Sequence, residues 1–151
     1  MILTNLKKGD EEMIMFTIPG PPTGKARPRV TRWGTHTPEQ TVLYENLVKT
    51  MYMQTRTEKF ADDKMIEMSI EAYFKIPKSA TKGKRLAMIH NIVRPIKKPD
   101  IDNICKIIAD ALNGLAYKDD TQIVKVNLEK FYSDDEGKVV VKLQEFDPVN
   151  F

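Results

Sequence analysis

The apolar residues Ile104, Ile107, Ile108, Ala111 and Leu112, with Leu115 just beyond, recur at three- and four-residue spacing, and Asn113-Gly114 supplies a helix stop among them. An apolar stripe of that period has to be buried, so the chain must fold around an amphipathic helix here. Strands to cover it are legible on either side. Met13 to Ile18 is short and β-friendly and is stopped by Pro19-Gly20-Pro21-Pro22. Ile66, Met68, Ile70, Ala72 and Phe74 alternate with polar or mixed residues. Val124, Val126 and Leu128 alternate again, as do Val139, Val141 and Leu143. The acidic turn Ser133 to Gly137 between these last two runs reads as a β-hairpin with one buried face.

Thr37-Pro38-Glu39-Gln40 reads as a helix start, with Thr37 as cap and Gln40 completing a capping box. Leu43, Leu47, Val48, Met51 and Tyr52 carry that helix to about Arg56. Ser79 to Ile89 is weakly helical. Thr23 to His36 is basic and rich in Pro and Gly, and reads as a long ordered loop. The expectation is an α/β (α+β) fold: a single domain over residues 1–151, with helices packed on a mixed sheet. With 151 residues and 41% of them hydrophobic, the chain is long and apolar enough to bury a core. No apolar run approaches the roughly 20 residues of a membrane span, and Met1 to Asp10 lacks the apolar centre of a signal peptide. One cysteine, Cys105, excludes an internal disulfide and a four-cysteine zinc finger, and a reducing, cytoplasmic setting is expected.

The net charge of +3 is small but unevenly spread. Pro19 to Pro38 contains no acid and carries Lys25, Arg27, Arg29 and Arg32. Ala72 to Pro99 again contains no acid and ends on Arg94, Lys97 and Lys98. A fold that sets both tracts on one side presents a face for a polyanion. Solvated lysine-rich loops are the plainer alternative.

The residues that bear chemistry lie between Lys97 and Asp120. Pro99 makes the chain arrive extended. In extended backbone, Asp100 and Asp102 point the same way across Ile101. Asp102 or Asn103 is placed to cap the helix that follows, and Lys106 lies one turn beyond Asp102. The chain then returns with Asp119-Asp120 at the entrance of a strand. Carboxylates gathered in this way repel unless a cation lies among them. Mg²⁺ and Mn²⁺ are the matching hard ions, and such an ion beside a basic surface suggests phosphodiester hydrolysis, with Lys106 adding positive charge at the phosphate. The same residue types also serve simply as helix caps and turns. His36 and His90 lack ligand-like spacing, and Cys105 reads as core.

Pro99-Asp100-Ile101-Asp102-Asn103-Ile104, then Lys106, Asp110, Leu112-Asn113-Gly114 and Asp119-Asp120-Thr121-Gln122-Ile123, resemble the RusA family of Holliday-junction resolvases. Ile18-Pro19-Gly20, Lys25-Ala26-Arg27-Pro28-Arg29-Val30 and Thr37-Pro38 resemble that family's opening strand and basic loop. The resemblance implies a dimeric, Mg²⁺-dependent endodeoxyribonuclease, with Mn²⁺ able to substitute, that cuts four-way junction DNA in recombination and repair, often encoded by phages or prophages. It implies catalytic and metal-binding aspartates at Asp100, Asp102 and Asp120, Asp119 as a neighbouring metal ligand, and a catalytic lysine at Lys106. Lys25, Arg27, Arg29, Arg32, Lys97 and Lys98 are expected on the DNA backbone. Two readings from other classes stay open: a junction-binding module that does not cut, and an interaction protein whose charges only keep it soluble.

Overall fold

A computed structural model of the chain describes residues 4–8, 11–55 and 58–149. Five strands form one mixed sheet: β1 (Thr4–Lys8), β2 (Glu11–Pro19), β5 (Ile66–Lys75), β6 (Ile123–Ser133) and β7 (Lys138–Glu145). Their spatial order is β1-β2-β7-β5-β6. A separate hairpin of β3 (Arg29–Thr31) and β4 (Gly34–His36) lies between β2 and the first helix. The helices are α1 (Glu39–Thr55), α2 (Lys82–Ile89) and α3 (Ile101–Leu112). Among the described residues, no helix is long and apolar enough to cross a membrane.

Period-two alternation settles which sheet face is buried. Ile14, Phe16 and Ile18 on β2 stand in register with Leu143, Val141 and Val139 on β7, and these in turn with Met68, Ile70 and Ala72 on β5. All nine are buried. Helices α1 and α3 pack together over this face, with Tyr44, Val48, Met51 and Tyr52 pointing in from α1. Tyr52 meets Phe16 edge-on at 5.7 Å. From α3 come Ile104, Ile107 and Ile108, all fully buried, and each contributes about 1.5–3 kcal/mol by leaving water. The apolar stripe therefore does what its spacing requires.

Two expectations are corrected. Strands β6 and β7 do not form a hairpin. β6 pairs in parallel with β5, while β7 lies antiparallel between β2 and β5. The connection passes over the end of β5: the Ile76 amide donates to the Ser133 carbonyl at 3.0 Å, and Gly137 lies against the Tyr73 carbonyl. A parallel pair needs a long crossover, which α2 and α3 supply. The interior strand β7 buries Val139, Val141 and Leu143, whereas the edge strand β6 leaves Val124 and Val126 exposed. The segment Thr23 to His36 is likewise not loop throughout, because it contains the β3–β4 hairpin, exposed along its whole length.

Candidate active site

The start of α3 is set by Asp100, which occupies the N-cap position in extended conformation (φ −69°, ψ 157°). Neither Asp102 nor Asn103 is the cap, since both already lie in the helix. Asp100 is thus the last extended residue and Asp102 already part of the helix, and their charges act on different neighbours. Their surroundings differ accordingly. Asp100 makes no side-chain cap bond, is exposed, and acts on the ammonium of Lys130 from β6. Burial lowers Lys130, Asp100 raises it and Lys97 lowers it again, and the result lies below the ordinary value. The Lys130 ammonium is anchored on the Lys97 carbonyl at 2.6 Å, over the Phe74 ring.

Asp102, Asp110 and Asp120 all act on the half-buried Cys105 thiol, whose pKa is pushed up by burial first and by these three charges after it. Asp120 enters from the turn after α3. Its own pKa is raised by burial, by a hydrogen bond with Asp119, and by the charges of Asp119 and Asp110, while Lys106 opposes them. Asp119 has a different role. Its carboxylate accepts from the Thr121 amide at 3.1 Å and forms a capping box with Gln122, so it closes the 3₁₀ turn Asp120–Gln122. The Thr121 amide and then the Asp120 side chain hold the Asp119 carboxyl below its usual range.

Lys106 and Asp110, one turn apart on α3, form an ion pair at 3.7 Å. Asp110 also takes the Lys25 ammonium at 3.4 Å, and Lys25 reaches Glu45 of α1 at 2.5 Å. Burial would lower Lys25, but the bond and charge of Glu45, helped by Asp110, prevail and hold it above its ordinary value. Lys25 thus joins the basic loop, α1 and α3, and does not point its charge outward. Its amide donates to the Asn103 carbonyl at 3.0 Å. Next to it, a Cβ on Gly24 would come within 2.8 Å of the Pro99 side chain, so the loop is pressed directly onto the entry to α3.

The two acid-free tracts meet at this point. A cleft of about 890 Å³ is lined by Arg27, Arg29, Lys98, Asp100 and Asn103, with Lys25 at its wall. Lys97 and Arg32 lie elsewhere, Lys97 with its ammonium over Phe74 and Arg32 stacked on Trp33. Two participants were not visible in the sequence. Glu45 and Lys130 reach the site from α1 and β6, and no local pattern marks either one.

Could a divalent ion fit here? The donors are hard carboxylate oxygens, Asp100 and Asp102 are exposed and free to turn, and the mutual repulsion is registered at Asp120. That donor chemistry suits Mg²⁺ or Mn²⁺. As the side chains stand, no three His, Cys, Asp or Glu among the described residues are gathered closely enough to grip one ion. An ion held by three of these carboxylates would require the exposed aspartates to rotate inward.

Comparison with known proteins gives two matches. A family model described as endodeoxyribonuclease RusA matches residues 19–144. An uncharacterised protein of Bacillus subtilis (strain 168), YqaN, is 34% identical over 140 residues, which span 89% of this chain and 97% of that protein.

Proposed function

The chain belongs to the RusA endodeoxyribonuclease family, and from that premise we propose that it is a structure-specific endonuclease resolving four-way (Holliday) junctions by paired phosphodiester hydrolysis in DNA recombination and repair. The observation that supports this reading is the meeting of both acid-free tracts at a cleft that Asp100 lines, on the same helix as Asp102 and Lys106. Asp100, Asp102 and Asp120 would hold Mg²⁺, with Mn²⁺ able to substitute. When bound, the ion polarises the phosphate and makes water nucleophilic at neutral pH.

The chain's own residues do the remaining work. Lys106 sets positive charge where the phosphate gains negative charge, and Asp110 fixes the lysine's direction. Arg27, Arg29 and Lys98 hold phosphates along the cleft, which positions DNA without reading its sequence. The products are nicked duplexes with 5′-phosphate ends. Paired cuts require two copies of the chain, acting as a homodimer in the cytoplasm.

A junction-binding module that does not cut is favoured by one observation, the absence of a pre-gathered three-carboxylate site among the described residues. The deciding experiment is cleavage of a labelled mobile four-way junction and a linear duplex of the same sequence, with Mg²⁺, with EDTA, and with Asp102→Asn. Symmetric nicks at the branch point, seen only with metal and only in the unmutated chain, are the expected result. Tight junction binding without a cut under any divalent metal would leave the aspartates as caps and turns.

A further inference from the structure

Trp33 is the chain's one tryptophan and stands at the tip of the β3–β4 hairpin. It is 86% exposed. An indole is among the most costly side chains to leave in water, so this placement calls for a partner. The tip is also held in shape. The Thr31 hydroxyl donates to the Gly34 carbonyl at 3.1 Å and accepts from the Trp33 amide at 3.3 Å. The Arg32 guanidinium lies 5.1 Å from the indole centroid, covering one ring face and leaving the ring otherwise open.

The surroundings select the partner. From Pro19 to Pro38 there is no acidic residue. Arg29, at the base of the hairpin, lines the same cleft as Asp100. The hairpin thus rises from the rim of the cleft as a cationic finger ending in a flat aromatic ring. A ring with a guanidinium beside it matches a nucleobase with its phosphate, because every base has a π-face and every nucleotide a negative charge. In continuous duplex the base faces are already stacked. A face is free only where the helix is interrupted.

Resting on the nuclease reading above, we infer that the β3–β4 hairpin senses the branch point, with Trp33 stacking on a base exposed there and Arg32 and Arg29 on the adjoining phosphates. The hairpin is then what separates a junction from linear duplex, and the cleft supplies only general affinity.

The single tryptophan makes this directly readable. Dye-labelled four-way junction and linear duplex are each titrated in EDTA, with dye anisotropy reporting binding and indole emission reporting Trp33. Indole emission should be quenched at saturating junction and unchanged at saturating duplex. Trp33→Ala should weaken junction binding roughly five- to a hundred-fold while changing duplex binding less than about two-fold, and Trp33→Phe should restore most of the difference. Junction binding with unchanged emission, or an equal loss on both DNAs in Trp33→Ala, overturns the inference and leaves the nuclease reading standing. No binding of either DNA overturns both together. Because Trp33 packs on no part of the core, these variants keep the fold.

Discussion

Lys25 lies inside the first basic tract, yet its side chain turns inward, 20% exposed, between Glu45 and Asp110. Lys25→Met leaves two carboxylates without their cation and should cost roughly 1–3 kcal/mol in urea denaturation. Its folded pKa is raised above 10.5, so its contribution is fully present below 10.5 and is lost as pH rises through the folded value. The stability gap between wild type and Lys25→Met should stay flat from neutral pH up to 10.5 and close in more alkaline buffer. On DNA, the variant should keep the wild-type salt slope, whereas Arg27→Ala should lower it by about one, as expected for one lost phosphate contact. A reduced slope in Lys25→Met would return Lys25 to the DNA surface. Asp100 presents the opposite case. It sits at a helix cap but makes no cap bond. Asp100→Asn should therefore shift stability by less than about 0.5 kcal/mol while reducing junction cleavage at least about 10²-fold. A large drop in melting temperature with cleavage kept would make Asp100 a structural cap after all.

At the scale of elements, the connection from β6 to β7 decides the sheet order. Gly137 has a positive φ of 92°, and a Cβ there would lie 2.8 Å from the Tyr73 carbonyl of β5. Gly137→Ala combines left-handed strain with a backbone clash and should cost at least about 2 kcal/mol, measured by thermal or chemical unfolding. Full stability would mean that the crossing over β5 is looser than it stands. The same connection explains what could be read beforehand. The α3 stripe, its stop at Asn113-Gly114 and the alternation of β2, β5 and β7 are local periods, and each lies where the spacing puts it, whereas the alternation on β6 marks a strand but not a buried face. Which strand lies beside which is not local. β6 and β7 alternate as hairpin partners would, but β5 lies between them. The site divides along the same line. Asp110 beside Lys106 follows from helical spacing, and Asp119 as a turn residue follows from its position. Glu45 on Lys25 and Lys130 beside Asp100 depend on contacts across twenty or more residues, which no pattern in the sequence encodes. The pairing of Asp100 with Asp102 rests on extended backbone, which reaches only as far as Asp100, because the helix begins immediately after it.

At the scale of the whole molecule, paired cutting sets a requirement that one chain cannot meet. Asp102 and Asp110 on α3 and Asp120 from the turn after it all act on the Cys105 thiol by their charge, which makes one set of carboxylates per chain. Two cuts placed symmetrically about a branch need two such groups related by a two-fold axis, which is the commonest symmetry of a homodimer. The proposal of a dimeric resolvase therefore makes a claim about products as well as about mass. On a supercoiled plasmid carrying a cruciform, a dimer with two working sites cuts both strands within one binding event and releases linear DNA. A dimer with one working site leaves a nicked circle. Co-expression of wild type with Asp102→Asn in equal amounts should yield mixed dimers as about half of all pairs. The ratio of nicked circle to linear product should then rise well above that of wild type alone, at equal total junction bound. Independent monomers would show a different pattern: the inactive chain would slow the reaction by occupying junctions, and the product ratio of the remaining active chains would follow simple dilution of wild type. Matching the dilution curve would remove the dimer from the mechanism, because each strand would then be cut by a separately arriving chain and the branch would no longer be resolved by one assembly.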